Sequence, residues 1–273
     1  MPPSQLLAAF VREHPRVFVL TGAGVSTASG IPGYRDAGGN WQRKPPVTHQ
    51  EFTGNEAMRK RYWARSLLGW PMIANATRNP AHEALARLER LGHVGQLITQ
   101  NVDGLHQRAG SESVIDLHGR LDQVVCLDCS AIHPRSSIQA SMLNANPGFA
   151  TGAATVAPDG DADLQTDFDL FNAPDCALCG GMLKPDVVFF GASVPRPRVE
   201  AAFEALEEAD AVLVVGSSLM AYSGYRFCER AHAAGKLIAA INHGRMRADA
   251  LLHLKIDADC GAELTAIVGQ LAH

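Results

Sequence analysis

Residues 17–35 read VFVLTGAGVSTASGIPGYR. The first five, Val17 to Thr21, form a run of β-formers with no polar alternation, the pattern of a strand covered on both faces. The composition then changes abruptly to glycine and small hydroxyl residues. Gly22 and Gly24 permit close approach of the backbone, while Ser26, Thr27 and a following helix start offer donors suited to a phosphate. The dinucleotide fingerprint has glycine or alanine where this chain has Thr27. Read alone, the stretch therefore also fits a glycine turn that merely joins strand to helix.

Working outward, the same kind of apolar run recurs in VGQLITQ (94–100), DVVFFG (186–191), DAVLVVGSS (210–218), KLIAAIN (236–242) and LLHLKID (251–257). Helical patterns lie between several of them. PAHEALARLERLG (80–92) places Ala81, Ala84, Leu85, Leu88 and Leu91 on one face and stops at Gly92, and RVEAAFEALEEA (198–209) repeats the scheme. The alternation predicts an α/β protein with a doubly wound, parallel, Rossmann-like sheet. Two segments are marked off from it. Residues 1–43, 94–122 and 185–273 are assigned to the nucleotide-binding domain, 44–93 to an inserted helical lobe with Tyr62, Trp63 and Trp70 beside Trp41, and 123–184 to a cysteine-bearing module.

Ligands of such sheets bind beyond the carboxyl ends of the strands. Those ends carry TGAG, GSSLM (216–220), INHG (241–244) and, after Ile98, TQNVDGLH (99–106). Gln100, Asn101, Asp103 and His106 would be costly to bury without partners, so the edge is expected to bind a nucleotide. His106 itself is read as a helix-surface or capping residue.

Composition narrows the function. The 273 residues are 47% hydrophobic and 19% charged, with net charge −4 and a pI near 6.2. No basic footprint favours nucleic acid or an anionic membrane surface. No apolar stretch is long enough to span a bilayer, and the N-terminus lacks the features of a signal peptide, so a cytoplasmic protein is expected.

The six cysteines comprise two CxxC pairs, Cys126/Cys129 and Cys176/Cys179, and two single residues, Cys228 and Cys260. A single CxxC fits a redox pair as well as a metal site, whereas two together favour one tetrahedral, structural zinc ion. The 46 residues from Ser130 to Asp175 exceed the spacing of a compact zinc ribbon. Much of 130–175 is therefore read as a loop inserted into the metal module.

GAGVSTASGIPGYR, TQNVDGLH, DLHG, the CxxC pairs, LKPDVVFFGASVP, VVGSSL and INHG occur in the order found in the sirtuins, and from about Val17 to Cys260 the chain resembles that family of NAD-dependent protein deacylases. RYWARSLLGW, SSLMAYSGYRF and the long interval between cysteine pairs look most like its class II branch. The resemblance implies that an acyl-lysine protein or peptide is the substrate and NAD the cofactor. The acyl oxygen attacks the nicotinamide ribose, nicotinamide leaves, and His118 acts as general base toward a ribose hydroxyl. It further implies that Asn101 and Asp103 serve the nicotinamide end. NAD contacts are expected at Gly22, Ala23, Gly24, Ser26, Thr27, Ile31, Pro32, Tyr34, Arg35, Gln100, Asn101, Val102 and Asp103. On the other side of the edge they are expected at Gly216, Ser217, Ser218, Asn242, His243, Gly244 and Cys260. ADP-ribosyl transfer and lipoamide removal are alternatives on the same scaffold. An oxidoreductase would leave TQNVDGLH and the cysteines without a purpose, and a non-catalytic zinc module would leave His118 without one. Tyr62 and Arg65, three apart on a helix, are either an acid-binding pair selecting carboxy-acyl groups or a core tyrosine beside a solvated arginine.

Overall fold

The structure is a computed structural model describing residues 1–34, 36, 38, 46–149, 160 and 168–272. Arg35, Trp41 and most of 150–167 lie outside the described residues. The chain opens with α1 (Pro3–Glu13), β1 (Val17–Thr21) and a 3₁₀ turn (Ala23–Ser29), then α2 (His49–Gly54), α3 (Glu56–Asn75), α4 (Pro80–Arg90) and β2 (Val94–Thr99). There follow α5 (Leu105–Arg108), β3 (Val114–Asp116), β4 (Gly119–Cys126), β5 (Ile132–Pro134), α6 (Arg135–Ala145) and β6 (Leu183–Val187). The last third alternates α7 (Arg196–Glu208), β7 (Ala211–Val215), α8 (Tyr222–Ala233), β8 (Ile238–Ile241), β9 (Leu254–Ile256) and α9 (Cys260–Leu271).

Six parallel strands form the main sheet in the order β3-β2-β1-β7-β8-β9. All five residues of β1 and of β7 are buried, which explains their unbroken apolar sequence. One face packs Val17, Val19, Leu213 and Ala239 against Leu7, Phe10, Leu85, Leu88 and Leu264 of α1, α4 and α9. The other packs Phe18, Leu20, Val212 and Val214 against Leu206 of α7 and Phe227 of α8. The order reverses between β1 and β7, so the topological crevice opens at their carboxyl ends.

The run at 186–191 does not join this sheet. β6 ends at Val187 and pairs antiparallel with β4, which also pairs antiparallel with β5, forming a separate three-stranded sheet. Its apolar residues serve a different core, since Val187, Phe189, Leu121 and Val124 pack with Phe52, Trp63 and Leu67 of α2 and α3. The helical lobe and the cysteine module thus share one core. Arg135 of α6 ties them together: fully buried, it bonds the Ser66 carbonyl and Gln139, with its guanidinium over Trp63 at 5.5 Å and Trp70 at 4.8 Å. Among the described residues, no helix is long and apolar enough to cross a membrane.

At the switch point two glycine loops press together. The Gly24 amide donates to the Gly216 carbonyl at 2.8 Å, and Gly216 sits at φ +59°. A Cβ on Gly24 would lie 2.8 Å from that oxygen and 2.9 Å from Gly216 Cα. Because both obstacles are backbone, Gly24→Ala should destabilise the protein by about 1–3 kcal/mol, read as a lower thermal midpoint. An unchanged midpoint would mean that the loops can separate freely.

Candidate functional site

The carboxyl ends of β1, β2, β7 and β8 open into one cleft of about 700 Å³. Its floor is the paired glycine loops, with Gly22, Ala23, Gly24, Gly216, Ser217 and Ser218 exposed to it. Gln100 crosses the floor, donating through Nε2 to the Thr21 carbonyl at 3.2 Å and to Ser217 Oγ at 2.8 Å.

Beside it the polar residues that looked misplaced in sequence form a connected network. Asn101 Nδ2 donates to the Gly22 carbonyl at 3.1 Å and to Ser26 Oγ at 3.0 Å. Ser26 Oγ donates to Asp103 Oδ2 at 2.7 Å, while the other Asp103 oxygen accepts from the Leu105 amide at 2.9 Å. Each member is thereby held in one orientation. Beneath them lies a residue misjudged from sequence: His106 is not on a helix surface but 1% exposed, its Nε2 3.0 Å from Thr21 Oγ1. Its ring lies 4.8 Å from that of His82, whose Nε2 is 3.5 Å from Ser26 Oγ. Burial pushes both imidazoles down, His82 to about 4 and His106 well below its ordinary value, so both are neutral near pH 7 and complete the floor without charge. The sequence reading of His106 as a helix-surface or capping residue gave no sign that His82 of α4 would cover it.

His118 follows β3 and lines the cleft. Its Nδ1 lies 2.9 Å from the Gln100 carbonyl, an acceptor, so Nδ1 carries the proton and Nε2 keeps its lone pair. Burial lowers its pKa, the Arg226 and Arg198 charges act in the same direction, and the Gln100 hydrogen bond opposes them. A neutral imidazole with a fixed proton and an outward lone pair is poised to accept a proton. Gly119 beside it is obligatory, with φ +83° and a Cβ position 2.0 Å from the Asp186 carbonyl oxygen.

Of the other residues expected here, Thr27, Ile31, Tyr34, Val102, Asn242, His243 and Cys260 also line the cleft. Pro32 and Gly244 are not among its described lining residues. Cys260 is a buried thiol pushed up to about 12, chiefly by desolvation, and is therefore protonated. Tyr62 reaches the cleft, but Arg65 is not among the described lining residues. One wall was not assigned from sequence at all: Val187, Val188, Phe189, Phe190, Ala192 and Val194 give the cleft an apolar side. The run VVFFGASV was its signal, disguised as a core strand. Lys184 pins this wall by donating to the Pro185 and Val187 carbonyls at 2.7 and 2.6 Å.

The four cysteines of the CxxC pairs converge away from the cleft lining, their ligand atoms all within 4.8 Å of one another. The Sγ atoms of Cys126 and Cys179 are 3.6 Å apart and those of Cys129 and Cys176 are 3.8 Å apart. Four sulfurs at about 2.3 Å from a tetrahedral zinc stand about 3.8 Å apart, so the donor set fits that ion. His133 Nε2 lies 3.5 Å from Cys176 Sγ, at the edge of the cluster.

Residues 22–223 match the model of the Sir2 family. Among curated relatives, an NAD-dependent protein deacetylase of Bordetella bronchiseptica is 56% identical over 98% of this chain and 98% of its own length. One from Xanthomonas campestris pv. campestris is 58% identical over 94% of this chain and 88% of its own. Among solved structures, a Sir2 described with p53 peptide and NAD+ superimposes with a TM-score of 0.78 at 26% identity, covering 99% of this chain and 98% of that one. A Sir2 enzyme at 31% identity gives a TM-score of 0.77 with the same coverages.

Two measurements test this geometry. Histidine NMR should show His118 titrating below pH 6.5, because burial and two nearby cations disfavour the imidazolium; a midpoint at or above 6.5 would contradict the assigned surroundings. Cys176→Ser should lower bound zinc well below one ion per chain and reduce the thermal midpoint, since binding energy at a structural zinc is folding energy. Equal zinc content and equal midpoints for variant and parent would show that the thiols do not form the site.

Proposed function

Because the chain belongs to the Sir2 family, we propose that it is an NAD-dependent protein-lysine deacylase, which transfers the acyl group of a lysine side chain to ADP-ribose and releases nicotinamide. Its substrates are acyl-lysine proteins or peptides. The observation that carries the reading is His118: one ring nitrogen is fixed by the Gln100 carbonyl while the residue faces the cleft where β1, β2 and β7 end.

NAD, as second substrate, supplies an activated ribose carbon that takes the acyl oxygen as nicotinamide leaves. The protein's residues make that exchange selective. Asp103 and Asn101, locked by Ser26, present a carboxylate and an amide to the nicotinamide end; the glycine loops leave room for the phosphates at the sheet edge. His118 Nε2 accepts the proton of the ribose hydroxyl that attacks the acyl carbon; a water then supplies the new carbonyl oxygen as the bond to the lysine nitrogen breaks and the amine leaves, while the original acyl oxygen stays on the ribose. The Phe189 and Phe190 wall accommodates an acyl chain. Cys126, Cys129, Cys176 and Cys179 would hold one zinc ion, which would supply folding energy to the module that β4 and β6 anchor. Thiols kept reduced for this purpose are consistent with a cytoplasmic location.

Incubation with NAD and an acetyl-lysine peptide should release nicotinamide and form no reduced cofactor. His118→Ala should lower the deacylation rate roughly 10²- to 10⁴-fold while NAD binding survives. A folded variant retaining more than about a tenth of the parent rate would deny His118 the role of base.

A further inference from the structure

The base has a second partner that the sequence motifs did not reveal. Ser223 stands in the first turn of α8 and lines the cleft, with its Oγ 2.8 Å from His118 Nε2. Since Nδ1 donates to the Gln100 carbonyl, Nε2 of the neutral ring can only accept, and the Ser223 hydroxyl is the donor.

The placement is built rather than incidental. A Cβ on Gly224 would lie 2.6 Å from Gln100 Oε1, so the absence of a side chain there lets α8 begin directly against the residue whose carbonyl fixes the imidazole. Arg226 Nε donates to the Ser223 carbonyl at 3.0 Å. From the next loop, the Arg247 guanidinium covers the rings of Tyr225 at 4.4 Å and Tyr222 at 5.5 Å, and the Arg247 amide donates to the Ser218 carbonyl at 2.9 Å. The turn bearing Ser223 is thus clamped on both sides of the hydroxyl.

We propose that Ser223 is a positioning residue for the base: its hydroxyl donates to the Nε2 lone pair, holds the imidazole with that nitrogen turned toward the cleft, and is displaced by the substrate hydroxyl that His118 deprotonates. The Gln100 carbonyl and Ser223 together define the ring at both nitrogens. Removing either partner leaves the ring free to turn about its remaining bond.

The inference rests on His118 as general base, and a substrate-free signal separates the two. In nitrogen-15 spectra of histidine-labelled protein, Nε2 of His118 should resonate as an unprotonated, hydrogen-bonded nitrogen. Ser223→Ala should move that signal toward the value for a free lone pair with the fold unchanged by circular dichroism, and Ser223→Thr should restore it. In parallel, Ser223→Ala should lower kcat roughly 2- to 10-fold with KM for NAD little altered, and Ser223→Thr should recover most of the loss. An unmoved Nε2 signal, an unchanged kcat, or a threonine variant that recovers neither would overturn the positioning role. An active His118→Ala protein would instead remove the base, and the nitrogen signal of the parent would tell that failure apart.

Discussion

The close approach of two backbone loops governs this molecule. Where the sheet order reverses, Gly22 and Gly24 lie against Gly216 and Ser217, with a hydrogen bond of 2.8 Å from the Gly24 amide to the Gly216 carbonyl. A side chain on Gly24 or Gly216 would meet backbone atoms of the facing loop and part the two. With the loops in contact, the ends of β1 and β7 form a continuous floor of glycines and small side chains. The neighbouring strand ends deliver their polar groups onto that floor: Gln100 reaches across it to Ser217, and Asn101 bonds the Gly22 carbonyl. The floor therefore decides where Asp103, Ser26 and His118 stand.

The charge distribution follows from burial. The residues beneath the floor, His82 and His106, are neutral because desolvation outweighs every nearby carboxylate, and they fill space and offer hydrogen bonds without adding a competing charge. His118 is partly covered and its ring has a definite proton arrangement, so its lone pair faces the cleft. Val187 and Phe189 of the apolar wall belong to the core shared by the helical lobe and the cysteine module, whereas Val194 packs against the sheet core that α7 and α8 cover. The cleft thus lies between the polar floor at the sheet edge and an apolar wall that bridges the two cores. The four cysteines, which could hold one zinc ion, lie outside the cleft lining, and a metal there would stabilise the body that contributes Val187 and Phe189.

Much of this was legible in the sequence because strand-end chemistry is local. Five of the six parallel strands read directly from Val-, Ile- and Leu-rich runs, the short edge strand β3 having been missed, and the four-thiol cluster read from two CxxC pairs. Readings that depend on long-range packing did not follow. VVFFG has the composition of a central strand, yet it forms the wall, because its partner is β4 and that pairing leaves no trace in local periodicity. His106 looked solvent-facing because burial by α4 is a tertiary event. The shared core of lobe and cysteine module rests on Arg135 between two tryptophans, contacts that span more than sixty residues of chain. Ser223 escaped notice since its importance lies in a distance to His118, 105 residues away in sequence.

The central claim is that acyl-lysine and NAD meet in this cleft and exchange the acyl group there, and tracing the acyl oxygen tests it most directly. A peptide carrying oxygen-18 in the lysine acyl carbonyl, turned over with NAD and analysed by mass spectrometry before solvent exchange, should yield nicotinamide and acyl-ADP-ribose that retains the label on its ribose. Label recovered in free carboxylic acid, with NAD intact, would mean that water cleaves the amide directly and would contradict the account.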